Sequence, residues 1–156
     1  MESDDLFESL LARCIKLIYI RPRTESEINK YLNKLTEDQH LIERLISRLK
    51  DNNYLNDNEF IEWWVSQREY FRPRGQPLLK RELKLKGVSQ EFIDEYFAKT
   101  DLDEAELALQ ALSSKQRQLD RTEDKKRFKV AVDYLMRRGF SYDTAKKAFE
   151  QFMQMR

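Results

Sequence analysis

Apolar residues recur three and four positions apart along almost the whole chain, and Ser, Thr, Asp or Asn stands where most runs begin. Phe7, Leu10, Cys14 and Leu17 mark one face of a first helix, expected to be capped by Ser3 and to run to about Tyr19. Thr24-Glu-Ser-Glu27 has the spacing of a capping box and opens a second. Thr36-Glu-Asp-Gln39 opens a third, with Leu41, Ile42, Leu45, Ile46 and Leu49 on its apolar side. Asn56 or Asp57 starts a helix to about Tyr70. The next accepts Pro77 in its first turn and stops at Gly87, and Ser89 caps another through Ala98. Thr100-Asp-Leu-Asp103 resembles a capping box for a helix to about Leu119. Thr122 or Asp124 starts a basic helix ending at Gly139, and Ser141 caps the last. Ile15 to Ile20 is β-prone in composition but continues the face begun at Phe7, so it is read as helix. The fold class is all-α.

The punctuation repeats. Arg21-Pro22-Arg23 returns 51 positions later as Arg72-Pro73-Arg74, and Gly87-Val-Ser89 returns 52 positions later as Gly139-Phe-Ser141. Ile28, Leu32, Ile42 and Ile46 match Leu79, Leu83, Ile93 and Phe97, then Ala131, Leu135, Ala145 and Phe149. A fixed period near 50 marks units that bury their apolar faces against one another. The expected architecture is an elongated array of three tandem three-helix repeats, at residues 1–53, 54–99 and 100–156.

Composition adds a surface. Charged residues make up 37% of the 156 positions, well above the average for a globular domain, yet the net charge is only +1. The balance hides blocks. Seven basic residues fall between Arg68 and Lys86 and nine between Lys115 and Arg138, whereas Glu91 to Glu106 holds seven acids against Lys99. A basic helix end is ordinarily a solvated face that suits the helix dipole. Two such helices in register, with paired Arg-Pro-Arg elbows, also fit a polyanion or acidic partner. Phe60, Trp64 and Phe71 share a helical face and suit a core; Trp63 lies beside it and is the better candidate for exposure.

Catalytic chemistry finds no foothold. Cys14 and His40 are single, which excludes a disulfide framework and leaves too few Cys/His ligands for zinc. Cys14 is read as a small buried hydrophobe and His40 as a surface residue. No Gly-rich phosphate loop, HExxH or GxSxG stands in the chain, so no enzyme activity, catalytic residue, metal site or cofactor is expected. No apolar run approaches the roughly 20 residues of a membrane span. The acidic start MESDD is the opposite of a signal-peptide n-region, and a cytoplasmic protein is expected.

One block carries more identity than the rest. Tyr54-Leu55-x-Asp57-x-x-Phe60, then Trp64-Val65-x-x-Arg68, Gly75 and Glu82-Leu83-x-x-Lys86-Gly87-Val88, resembles the signature of the RecX family. Phe128 to Phe149, with Arg138-Gly139-Phe140, resembles that family's third unit. Ile61 and Trp63 depart from it, being bulkier than the small residues usual there. The resemblance implies a bacterial regulator that binds in the groove of the RecA filament on single-stranded DNA. Its effect would be to suppress ATP hydrolysis, strand exchange and co-protease activity, and so to modulate recombination and DNA repair. Direct DNA binding is expected to be weak and the protein a monomer. The basic blocks supply the candidate contacts: Arg68, Arg72, Arg74, Lys80, Arg81, Lys84, Lys86, Arg137 and Arg138. Two other classes stay open. A stand-alone helix-turn-helix module would need Gln90-Glu-Phe-Ile-Asp-Glu as its recognition helix, an acidic face poorly suited to a major groove. An adaptor for an unrelated protein is the other.

Overall fold

The computed structural model describes residues 2–71, 73–100 and 103–155. Among them are ten α-helices and no strand. They are α1 (Glu2–Ile20), α2 (Glu25–Asn33), α3 (Gln39–Asp51), α4 (Asp57–Phe71), α5 (Gln76–Leu85), α6 (Gln90–Lys99), α7 (Glu104–Ser113), α8 (Gln116–Arg121), α9 (Asp124–Arg137) and α10 (Tyr142–Gln154). The order is three tandem triplets, α1–α3, α4–α6 and α7–α10, the last with its first helix in two pieces. Arg72, Asp101, Leu102 and the side chains of Ser3, Tyr70 and Phe71 lie outside the described residues.

Local signals set most helix starts. Thr24 forms the complete capping box with Glu27, and Ser141 accepts from the Thr144 N–H. Asn56, not Asp57, caps α4 by accepting from Glu59 N at 3.1 Å. Two expected starts move. Asp38 rather than Thr36 caps α3, accepting from Leu41 N, while Thr36 accepts from Asp38 N one turn earlier. Asp103 rather than Thr100 caps α7. α9 begins at Asp124, one of the two expected positions, though without any side-chain cap. The helix expected to reach Leu119 breaks at Ser113-Ser114, whose hydroxyls donate to the carbonyls of Leu109 and Ala111. Such back-bonding competes with continued helix.

The residues form two compact units, 1–63 with 83–96, and 64–82 with 97–156. In the first, α1 and α2 pack on α3 around Leu10, Cys14, Ile28, Leu32, Ile42, Leu45 and Leu49. In the second, α10 packs on α7 and α9 around Ala108, Leu112, Ala131, Leu135 and Ala145. Along α4 the buried positions are Phe60, Ile61 and Val65, so the core stripe is turned from the expected Phe60–Trp64 line. Trp63 and Trp64 are both half-buried.

A single joint design occurs once in each unit. α5 ends in a Schellman turn, with Gly87 N on Lys84 O at 3.0 Å and Val88 N on Leu83 O at 3.1 Å. α9 ends identically, through Gly139 N on Met136 O and Phe140 N on Leu135 O. Both glycines are left-handed, φ 89° and 90°. The carbonyl freed at the end of α5, that of Lys86, accepts from Thr24 Oγ1 at 2.6 Å at the start of α2. At the end of α9, Arg138 O accepts from Gly75 N at 2.9 Å, at the start of α5. Carboxylates complete the joints: Asp57 accepts from Glu25 N at 2.9 Å, and Glu104 from Gln76 N at 2.7 Å.

Gly75 is required by proximity, since a Cβ there would overlap the Gly139 carbonyl, which is backbone. Gly75→Ala should therefore cost about 2–3 kcal/mol, seen in thermal or urea unfolding. A cost under about 0.5 kcal/mol would show that the joint yields.

Candidate functional site

Each joint sets an elbow arginine, Arg21 and Arg23 at the first and Arg74 at the second, next in the chain to a contact with the basic end of a helix from the next triplet. At the first, the elbow lies beside the Lys86 end of α5. Arg21 pairs with Glu27 and also donates to Pro22 O at 2.8 Å. Glu27 therefore serves two roles, since it also accepts from Thr24 N at 3.2 Å. Burial pushes its pKa up, but the hydrogen bonds from Arg21 and the Thr24 N–H, with the charges of Arg21 and Lys86, outweigh that and hold it below the usual value. Arg23 donates to Leu17 O at 3.3 Å. Its pKa is lowered by burial and by neighbouring Arg21, with Glu27 opposing.

At the second joint Glu82 takes the role of internal counter-ion. It accepts Arg74 Nη1 at 2.6 Å and faces Arg68 Nε at 3.3 Å. The Arg68 guanidinium also covers the Trp64 ring, 4.3 Å from its centre. Two of the expected contact residues are thus engaged within the fold: Arg74 clamps the elbow to α5, and Arg68 ties α4 to it. Burial accounts for the engagement. The side chains of Arg74, Glu82 and Arg68 are only 17%, 13% and 28% exposed, and charges so placed are paired.

The other sequence candidates separate by exposure. Lys80 lies over Phe97, 5.4 Å from the ring centre, and Arg138 over Tyr134 at 5.5 Å. Lys86 is half-buried at the first joint. Arg81, Lys84 and Arg137 are exposed. Arg72 lies outside the described residues.

Two features escaped the sequence reading. The carboxylates Asp57 and Glu104 cap helices 32 and 28 residues away in the chain, a pairing no local motif announces. The third triplet also holds a cleft of about 260 Å³ between the α7–α8 turn and α9, with Lys115, Gln118, Tyr134 and Arg137 around it. Lys115 belongs to the basic block, but the cleft depends on the Ser113-Ser114 break. Among the described residues no helix is long and apolar enough to cross a membrane, and no group of three or more His, Cys, Asp or Glu is placed to hold a metal ion.

Comparison with known proteins agrees with this architecture. The family model for the second three-helix domain of RecX matches residues 56–96, and that for the third three-helix domain matches residues 102–149. The regulatory protein RecX of Bacillus pumilus is 31% identical over 143 residues, covering 89% of this chain and 53% of that protein. The chain thus spans about half the length of the Bacillus relatives it matches. RecX of Streptomyces coelicolor is 28% identical over 151 residues, covering 96% of this chain and 80% of that protein. The crystal structure of RecX from Lactobacillus salivarius superposes with a TM-score of 0.81 at 18% identity, covering 97% of this chain and 99% of that one. It shares the fold.

Opposite carboxylate environments at the first joint give a pH test. Glu27, held low, contributes stability that is present above the unfolded carboxylate pKa and lost as pH falls through its folded value. Asp57 is raised by burial and by the Glu25 and Glu27 charges, against the Glu25 N–H and Lys50, so its ionisation removes stability as pH rises. In urea unfolding, Glu27→Gln should lose about 1–2 kcal/mol at pH 7 and converge with the parent in acid. Asp57→Asn, which keeps the acceptor, should hold or gain stability at pH 7. Identical pH profiles for both variants would contradict this assignment.

Proposed function

The chain belongs to the RecX family of regulatory proteins, and on that premise we propose that it is a non-enzymatic negative regulator of the RecA recombinase. It binds in the groove of the RecA filament on single-stranded DNA and inhibits ATP hydrolysis, strand exchange and co-protease activity. The observation that carries the reading is the division of labour among its cations. Arg21, Arg68 and Arg74 are neutralised inside the frame, which leaves Arg81 and Lys84 on α5 and Arg137 on α9 as exposed positive groups. Exposed cations recurring on the basic helices of successive repeats suit a polyanionic target better than a single isolated site does.

A stand-alone helix-turn-helix module fits less well. The solvent side of α6 presents Glu91, Asp94 and Glu95, so the would-be recognition helix repels phosphate. DNA-dependent ATP hydrolysis by RecA filaments should fall as the protein is added at up to one copy per several recombinase protomers. Unchanged turnover at stoichiometric protein would sink the proposal. The double variant Arg81→Ala/Lys84→Ala should inhibit at least about tenfold less well while keeping its melting temperature. Arg74→Ala should lose both, because it leaves Glu82 short of its partner.

A further inference from the structure

Repeat-equivalent positions at the second and third triplets differ in one decisive respect. The register is fixed by structure: Gly87 matches Gly139 52 positions on, and the capping carboxylates Asp57 and Glu104 match at 47. Buried Phe60, Ile61 and Val65 then fall on buried Leu107, Ala108 and Leu112. Arg68 falls on Lys115, and Glu82 on Tyr134. In the second triplet the carboxylate of Glu82 neutralises Arg68 and Arg74. In the third, a tyrosine stands in its place. Lys115 instead lies over the Tyr134 ring, 5.3 Å from its centre, with Arg138 at 5.5 Å. Among the described residues no carboxylate lies within ion-pairing distance of Lys115 or Arg137.

These groups border the 260 Å³ cleft, none of whose lining residues is acidic. Its floor is apolar and buried, made by Leu112, Leu119 and Ala131. Its polar fittings are two cations, the Gln118 amide and the Tyr134 hydroxyl. We propose that this cleft binds one nucleotide unit of single-stranded nucleic acid, its phosphate between Lys115 and Arg137 and its base over the apolar floor beside Tyr134. Phosphate supplies the anion that the second triplet carries internally. A planar base matches the apolar floor, and its edge can both give and accept hydrogen bonds at Gln118. An acidic side chain would satisfy the cations alone and leave the floor and the amide unmatched. This binding is a property of the chain by itself and does not need the recombinase.

The test uses the full chain without RecA, so its result is separate from that of the filament assay. A fluorescein-labelled ten-nucleotide oligo(dT) should bind saturably, read by anisotropy. Lys115→Gln and Arg137→Gln should each weaken it roughly tenfold and reduce the salt slope by about one. Tyr134→Glu, which restores the internal counter-ion, should weaken binding at least as much. Should that variant unfold, Gln118→Ala together with Lys115→Gln carries the test, since Gln118 is exposed. In NMR spectra dTMP should move the amide signals of Lys115, Gln118 and Tyr134. Unchanged affinity in the variants would overturn the proposal. Shifts from oligo(dT) with none from dTMP would also overturn it, leaving only strand-wide charge. Equal displacement of oligo(dT) by a ten-residue glutamate peptide would assign the cleft to acidic peptides instead.

Discussion

Everything in the fold depends on how the ends of the short middle helices are closed. A helix of nine or ten residues leaves a large share of its N–H and C=O groups unpaired, and is marginal alone in water. Here the deficits of two triplets cancel. The donor-rich start of α2 meets the carbonyl end of α5, and the start of α5 meets the carbonyl end of α9. Opposite ends of the helix dipoles are thereby set against each other. Each closed group avoids a penalty of about 1–3 kcal/mol, comparable to burying a large apolar side chain. The same contact demands glycine twice over: a left-handed C′ residue to turn the chain, and no Cβ on Gly75, where two backbones touch.

That closure constrains the charge as well. An elbow pressed against a helix end leaves little water around its arginines, so acids must be built in beside them. Glu27 and Glu82 meet this need, one within a capping box and the other at the centre of an arginine pair. The frame therefore consumes cations that a residue count would assign to the surface. What remains outside is smaller and more sharply placed than the basic blocks suggest.

Legibility in the sequence followed the range of each interaction. Gly87 and Gly139, the capping box at Thr24 and the cap at Ser141 act within a few residues, so spacing alone revealed the helices and their period. The Asp57 and Glu104 caps act across about 30 residues of chain, and nothing in their neighbourhood distinguishes them from solvent-facing carboxylates in a first helical turn. Arg68 and Arg74 looked like members of a basic surface, because charge runs carry no mark of burial. The face of α4 was misread for a related reason. Tryptophan is apolar enough to be assigned inward, yet Trp64 is large enough to lie half-buried beneath an arginine while smaller Ile61 fills the core.

A repeat frame of this kind has a simple route to new binding chemistry. As long as every elbow or cleft contains both the cation and its carboxylate, the repeat is only scaffold. Exchange of the carboxylate for a tyrosine at one position keeps a partner against a cation, now an aromatic face, but removes the counter-charge. The electrostatic need that one triplet meets internally then turns outward. Tyr134 occupies that position in the third triplet, where the Ser113-Ser114 break has also opened space beside it. Either change alone achieves little: a cleft without an unneutralised cation has no preference for an anion, and a cation on a closed surface is simply hydrated. Together they make one copy of a common structural unit chemically distinct from its neighbour without altering the joints that hold the array.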